Sequence, residues 1–171
     1  MPENIGKFGA NVSASVTRPA NTTTYAAGDV VDAASGAGLT FSVCSRRNGL
    51  EGYINDAILI DSAAVSTKGS FELWLFNQAL AAYDNDNVAF SPTDADLANL
   101  VAVIPFTTAF VGDATSGAGG NCMFHADRTY LPARFSQQAA DDDLVGVLVV
   151  RNGYVPVSAE VFTVILKIEQ E

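Results

Sequence analysis

The feature of this sequence that most constrains its fold is a run of short segments in which apolar residues recur with a period of two. Phe71–Phe76 and Tyr53–Ile60 are rich in β-branched and aromatic residues and are bounded by Gly, Ser, Asn or Asp, a pattern typical of strands. Five further strand-like runs and one weaker run occur, at Leu39–Ser45, Leu100–Phe110, Asn121–His125, Leu144–Val150, Val161–Ile168 and, weakest, Thr23–Val31. The pattern therefore predicts about eight strands.

One segment has the features of a helix start. Ser91 is a suitable N-cap and Pro92 suits the first helical position, while Asp94 and Asp96 place carboxylates near the positive end of the helix dipole. We expect one short helix that connects two strands.

The number and spacing of these elements predict the architecture. About eight short strands with one connecting helix indicate an all-β, antiparallel β-sandwich, and a jelly roll is the usual eight-strand solution. An immunoglobulin-like sandwich is the main alternative, but such a domain has about 100 residues and this chain has 171. Residues 1–20 contain few large apolar groups, so we expect an extended N-terminal arm before a single sandwich domain at residues 21–171.

The charge of the chain bears on its partners. Nine Lys and Arg residues stand against nineteen Asp and Glu residues, for a formal net charge of −10. Proteins that bind nucleic acid need clustered Lys and Arg, so no nucleic-acid partner is expected. The longest apolar run, Leu144–Val150, is far shorter than the roughly 20 residues that span a bilayer, and no export signal is visible. We therefore expect no membrane partner.

The distribution of the basic residues suggests where a partner binds. No Lys or Arg occurs between Gly69 and Asp127, so an acidic partner would have to be met elsewhere. Arg18, Arg46 and Arg47 lie outside that acidic stretch and are the residues that we expect to contact such a partner.

Candidate catalytic and metal-binding residues are few. His125 is the only histidine, which excludes metal sites that need two or more imidazoles from one chain. A Ser-His-Asp triad could use His125 and Asp127, but no serine has a nucleophile-elbow context. Asp84 and Asp86 resemble the start of a calcium loop whose later positions fail, so solvated loops are favoured. We expect no catalytic residues, no metal, no cofactor and no enzyme activity.

The cysteines and aromatic residues have a structural interpretation as well as a functional one. Cys44 and Cys122 are expected to be reduced, buried thiols that pack as small apolar groups. Trp74, Tyr53 and Phe76 could line a sugar-binding groove, but their alternation within strands favours core packing.

Four segments carry a resemblance to a known family: Val16–Val31, Ala57–Ser62, Phe71–Phe76 and Phe90–Asp96. They resemble the capsid decoration proteins, also called cement or head-stabilising proteins, of tailed bacteriophages. The likeness extends over about residues 12–168 and involves no catalytic signature. It implies a β-sandwich module, often a homotrimer, that sits on the outside of the capsid and clamps neighbouring subunits.

Together these observations predict a structural virion protein that binds the major capsid protein at the outer surface of a bacteriophage capsid after assembly in the host cytoplasm. Arg18, Arg46 and Arg47 are its candidate contact residues. The alternative is a carbohydrate-binding jelly-roll module for attachment to the host surface, which would need an exposed aromatic platform that includes Trp74.

Overall fold

A computed structural model describes residues 8–47, 49–63, 68–111, 122–138 and 142–170 of the chain. The described residues form eleven strands, one α-helix and one 3₁₀ turn. These elements are β1 (Phe8–Thr17), β2 (Val30–Val31), β3 (Leu39–Phe41), β4 (Glu51–Asp61), β5 (Phe71–Phe76), α1 (Asp94–Leu97), β6 (Leu100–Phe106), β7 (Ala109–Val111), β8 (Cys122–His125), the 3₁₀ turn (Arg128–Tyr130), β9 (Ala133–Ser136), β10 (Leu144–Val150) and β11 (Val161–Gln170).

The strands form two antiparallel sheets. The first sheet has the order β1-β11-β4-β8-β7, and β9 also pairs with β4; the second has the order β2-β10-β5-β6, and β3 also pairs with β10. β2 and β3 both pair with β10 and can be counted together as one strand, as can β8 and β9, which both pair with β4. With eight strands counted in this way plus β7, the strand order in the two sheets is that of two nested Greek keys. The prediction of an all-β, jelly-roll-like sandwich is therefore confirmed.

The core lies between the sheets and follows from the period-two pattern. Successive side chains of a strand point to opposite faces, so in β11 Phe162, Val164, Leu166 and Ile168 are all buried and the residues between them are not. Each such side chain contributes about 1.5–3 kcal/mol when it is removed from water. Phe71 on β5 lies at the centre of the core, with its ring centroid 5.3 Å from that of Phe162.

The second sheet is also covered on its outer face. Every residue of β10 is buried, and its outward-facing valines belong to a separate apolar cluster that includes Phe76 and Leu80. Tyr83 and Phe90, from the chain between β5 and α1, pack against this cluster. This cover explains why Leu144–Val150 is a continuous apolar run rather than an alternating one.

The helix is short, as predicted, but it begins at a different residue. α1 is preceded by Thr93 as its N-cap, not by Ser91. The Asp96 backbone N–H donates to Thr93 Oγ1 at 3.1 Å, and the Thr93 backbone N–H donates to Asp96 Oδ2 at 2.9 Å. This reciprocal capping box satisfies two N–H groups that a helix end would otherwise leave unpaired.

The expected N-terminal arm is wrong for residues 8–17. They form β1, which pairs with β11 from Phe8 opposite Gln170 to Thr17 opposite Val161. Residues 1–7 lie outside the described residues, as does Asn121 of a predicted strand. The predicted strand at 100–110 is in fact two strands in different sheets, since β6 pairs with β5 and β7 pairs with β8.

Candidate interaction surface

Arg18 is not at the surface, so its predicted role in contacting a partner is wrong for this structure. The residue is 1% exposed, and its guanidinium group donates to the Asn21 carbonyl at 2.6 Å and to the Val157 carbonyl at 3.0 Å. It also forms an ion pair with Asp86, with 3.4 Å between Nη2 and Oδ2. Its five N–H donors are committed to the fold rather than to another molecule.

The acidic loop that resembles a calcium site is also structural. Asp86 accepts hydrogen bonds from the Tyr25 hydroxyl and from the Asp32 backbone N–H, and Asp84 accepts one from the Ser91 backbone N–H at 2.9 Å. Burial, followed by the hydrogen bond to Asp86, raises the pKa of Tyr25 well above its usual range. No group of three or more His, Cys, Asp or Glu side chains suited to a metal occurs among the described residues.

Arg46 and Arg47 are both exposed, as the prediction of a contact surface requires. The Arg46 guanidinium lies over the ring of Phe8, 4.3 Å from its centroid, and Phe8 is itself 52% exposed. Val43 and Leu50, at 57% and 38% exposure, flank the same turn. We call these five residues the Phe8–Arg46 patch.

Backbone contacts hold the Phe8–Arg46 patch together at one end of the first sheet. Gln170, the last residue of β11, pairs with Phe8 in the ladder and donates its side-chain N–H to the Val43 carbonyl at 2.8 Å. The Leu50 backbone N–H donates to the Arg47 carbonyl at 3.2 Å. The patch is thus assembled from two segments that are distant in sequence, and Gln170 of a third segment connects them.

Most other cations of the described chain are occupied by internal ion pairs. Those pairs are Arg18 with Asp86, Lys68 with Asp61, Arg134 with Glu51, Arg151 with Glu72, and Lys167 with Asp56. Arg46 and Arg47 form no ion pair with a described residue. Within the described ranges their charges have no ion-pair partner, which suits contact with an acidic group on another molecule.

The outer face of the first sheet carries a second exposed apolar surface. Ile60 on β4 is opposite Met123 on β8, which is opposite Phe110 on β7, and Ile58 and Ile165 form the adjacent row. Phe110 and Met123 are 54% and 37% exposed. We call these five residues the bare sheet face, because the second sheet's outer face is covered by its own chain and this one is not covered by described residues.

His125 lies beside the bare sheet face and does not pair with Asp127. Its nearest carboxylate is Asp56, with 3.9 Å between Nδ1 and Oδ1, whereas Asp127 accepts the Thr129 backbone N–H at the 3₁₀ turn. Burial alone would raise the pKa of Asp56, but Lys167 Nζ, 2.8 Å from Oδ2, brings it below its ordinary value. His125 and Asp127 are therefore not brought together as a triad.

Both cysteines are free and buried, which confirms the prediction of reduced thiols. Cys44 Sγ donates to the Phe41 carbonyl at 3.0 Å. Burial raises the pKa of the Cys44 thiol to about 12 and that of Cys122 to about 11.

The aromatic residues considered for a sugar groove do not form a platform. Phe76 is fully buried. Trp74 is half-buried, packs edge-on against Phe90 with 5.4 Å between centroids, and donates its indole N–H to Glu72. Tyr53 lies on the other sheet, so these side chains share no common face.

A buried cluster of charged residues was not predicted. Lys68 Nζ is 3.0 Å from Asp61 Oδ2, and Glu160, 2% exposed, adjoins Asp61. Asp61 comes directly after a predicted strand and Lys68 is followed by Gly69 and Ser70. Neither position has a sequence pattern that indicates a buried charged side chain. The sequence signal for the bare sheet face was available, because Ile58 and Ile60 alternate with buried Ala57 and Leu59.

The similarity of this chain to known proteins is confined to solved structures. No protein-family model matches the chain, and no curated protein matches it. A solved structure described as Desmodium yellow mottle tymovirus is similar, with 13% sequence identity over 99% of this chain and 85% of that chain, and a TM-score of 0.27. The neighbour is thus a viral protein, but at this TM-score the likeness supports no argument about function. Among the described residues, no helix is long and apolar enough to cross a membrane.

Proposed function

We propose that this protein is a structural virion protein that binds the outer surface of a bacteriophage capsid and stabilises contacts between major capsid subunits. In this proposal it acts as a homotrimer, without catalysis or a cofactor, and it reaches the capsid in the host cytoplasm. The observation that carries the proposal is the Phe8–Arg46 patch.

The composition of the Phe8–Arg46 patch is that of a binding surface. Aromatic residues and arginine are enriched in protein interfaces and contribute most of their binding energy. Exposed large apolar side chains that lie together, as Phe8 and Val43 do here, are typical of interaction sites. Two arginines that form no ion pair with a carboxylate of the described ranges favour an acidic surface on the capsid protein.

The net charge of the chain is consistent with attachment through the Phe8–Arg46 patch. At −10, the molecule as a whole is repelled by acidic surfaces, so a positive patch determines which side approaches such a surface. In a trimer, three copies of the patch would bind the capsid simultaneously, because the second and third contacts form at high effective concentration once the first has formed.

The test is attachment to capsids that lack the protein. Wild-type protein should cosediment with such capsids and raise the temperature at which they rupture. The double variant Arg46→Glu/Arg47→Glu should bind at least about tenfold more weakly, which corresponds to about 1.4 kcal/mol, and Phe8→Ala should weaken binding as well. Deleting residues 1–20 is unsuitable as a test, because the deletion removes β1.

Arg128→Glu is the matched control. Arg128 is exposed and lies in the 3₁₀ turn, on the other side of β4 from β1, so this variant makes, away from the patch, the same charge change as either single variant, Arg46→Glu or Arg47→Glu, which should each weaken attachment. Equal attachment of the wild type and the double variant, or equal rupture temperatures with and without the protein, would exclude the proposed contact. Sedimentation of the purified protein tests the trimer, and a monomer at all concentrations would contradict it.

The carbohydrate-binding alternative receives no support from the described aromatic residues. It stays testable with a glycan array: binding that is lost in Trp74→Ala would favour it over the capsid proposal.

A further inference from the structure

A lysine, an aspartate and a glutamate meet inside the sandwich, between the end of β4 and the start of β5. Lys68 Nζ lies 3.0 Å from Asp61 Oδ2, and the two side chains are only 4% and 0% exposed. Glu160, which immediately precedes β11, is 2% exposed, and its carboxyl group adjoins that of Asp61. Water has almost no access to these three groups.

The cluster lies among core side chains, and the Ala63 backbone supplies its nearest other polar groups: its N–H donates to Asp61 Oδ1 at 2.7 Å and its carbonyl accepts from Lys68 Nζ. In the ladders, Asp61 lies between Phe162 of β11 and Cys122 of β8. The ring of Phe71 is 5.3 Å from that of Phe162 and 5.8 Å from that of Tyr154. In such a medium a buried ion pair loses much of its advantage, and a desolvated lysine amine becomes a better nucleophile.

Glu160 is held as an acid beside this pair. Its Oε2 accepts the Val157 backbone N–H at 3.1 Å, while Oε1 is buried without a hydrogen-bond partner among the described residues. Burial, and then the neighbouring Asp61 carboxylate, raises the pKa of Glu160 to about 8. A carboxylic acid that keeps its proton near neutral pH is suited to general acid–base catalysis.

We propose that Lys68 and Asp61 condense within the folded chain to form an isopeptide bond, with Glu160 transferring the proton. A proton first passes from the Lys68 ammonium group to the Asp61 carboxylate, which leaves an amine and an acid. The Nζ lone pair then attacks Asp61 Cγ, the carbon bonded to the oxygen that Nζ contacts at 3.0 Å, so the folded chain already holds the two reacting groups side by side.

The remaining steps release water and regenerate the glutamic acid. Glu160 donates its proton to the departing Asp61 hydroxyl, so the C–O bond breaks and one water molecule leaves. The resulting Glu160 carboxylate accepts the proton that Nζ gives up. The products are an amide and water, and no oxidant, reductant or other reactant is consumed.

The bond would join the end of β4, in the first sheet, to the residue three positions before β5, in the second sheet. It would tie the two sheets together covalently at this end of the sandwich. The inference is independent of the proposed function, since it concerns only the buried cluster.

Intact mass of the purified, reduced full-length chain tests the proposal. The expected mass is lower than the sequence mass by one water molecule. Lys68 is the only Lys or Arg between Arg47 and Arg128, so trypsin should leave residues 48–128 as one peptide, also one water lighter, because an acylated lysine is not cleaved. A full sequence mass with cleavage after Lys68 would overturn the proposal.

Two variants distinguish isopeptide formation from other reactions that also release one water molecule. Lys68→Arg keeps the positive charge but should show the full sequence mass; if it still lost water, a cyclic imide at Asp61 would explain the loss and the proposal would be wrong. Asp61→Asn should release ammonia instead and reach the same final mass as the wild type.

A matched pair of variants tests the role of Glu160. Glu160→Gln should remain folded by circular dichroism and show the full sequence mass, because Gln cannot exchange the proton. Glu51→Gln, at a half-buried residue paired with Arg134 and far from the cluster in β4, should condense as the wild type does. Condensation in Glu160→Gln at the wild-type rate would remove Glu160 from the mechanism.

Discussion

The Arg18 guanidinium and the Asp86 carboxylate form an ion pair in which neither side chain reaches solvent, with side-chain exposures of 0% and 3%. The pair connects the residue after β1 to the chain that covers the second sheet. It joins a neighbouring tyrosine, since Tyr25 accepts from Arg18 Nε at 3.0 Å and donates to Asp86. The residue predicted to bind a partner thus has a structural role in the fold.

Replacement of Arg18 should destabilise the fold strongly. Arg18→Met keeps most of the side-chain volume but leaves the Asp86 charge buried and unpaired, which costs about 3–5 kcal/mol. The measurement is the free energy of unfolding in urea. The control is Arg134→Met, whose exposed pair with Glu51 contributes no more than about 1 kcal/mol. Equal losses in the two variants would contradict the structural role of Arg18.

The capping box predicts a pH dependence. The hydrogen bond from Thr93 holds the pKa of Asp96 below its ordinary value of 3.8, so the folded state favours the carboxylate. The stability that it contributes is present above pH 3.8 and is lost as the pH falls through the folded pKa. Asp96→Asn should therefore be less stable than wild type at neutral pH, and the difference should shrink in acid. A difference that is constant from pH 7 to pH 3 would contradict this.

Gly52 on β4 has no room for a side chain. A Cβ there would lie 2.6 Å from both the Glu169 carbonyl oxygen and the Phe135 ring. Gly52→Ala should cost about 1–3 kcal/mol, as overpacking typically does. Gly9, in β1, has nothing within 4 Å of the same position, so Gly9→Ala should change the unfolding free energy by less than about 0.5 kcal/mol. Similar values for both variants would show that the close contact is relieved at no cost.

The thiols should be unreactive in the folded protein. Because burial raises the pKa of Cys44 to about 12 and of Cys122 to about 11, the thiolate that attacks a labelling reagent is scarce at pH 8. Neither cysteine should be modified while the chain is folded, and both should react fully in concentrated urea. Rapid labelling of one thiol in native buffer would show that its strand opens.

The sequence predicted most of the sandwich because strands of the core obey the period-two rule. It failed at β1, where Ala10, Val12 and Ala14 alternate with polar residues but are too small to form a conspicuous apolar run. The same rule predicted β6 and β7 as a single strand, because no local feature of the sequence shows that the chain passes to the other sheet after Phe106. β9 was missed because Phe135 is its one large core residue.

Only part of the candidate site was predicted, because a sequence pattern reveals local properties but not contacts between residues that are distant in sequence. Arg46 and Arg47 are exposed because they lie in a turn, which is a local property. Arg18 is buried because residues far along the chain, at Asp86 and Val157, supply its partners. The same holds for Glu160, which meets Asp61 only after the strands pair. Such partners become visible only when the topology is known.

In the part of the chain that the structure describes, only the second sheet has its outer face covered, so the outer faces of the two sheets differ chemically. Met123 is the only methionine among the described residues and lies on the bare sheet face, so its thioether is a natural probe of that side. Mild peroxide treatment would convert it to the sulfoxide in free protein. On an assembled particle, the extent of that oxidation would report whether each copy turns this side toward a neighbour or toward the surrounding medium.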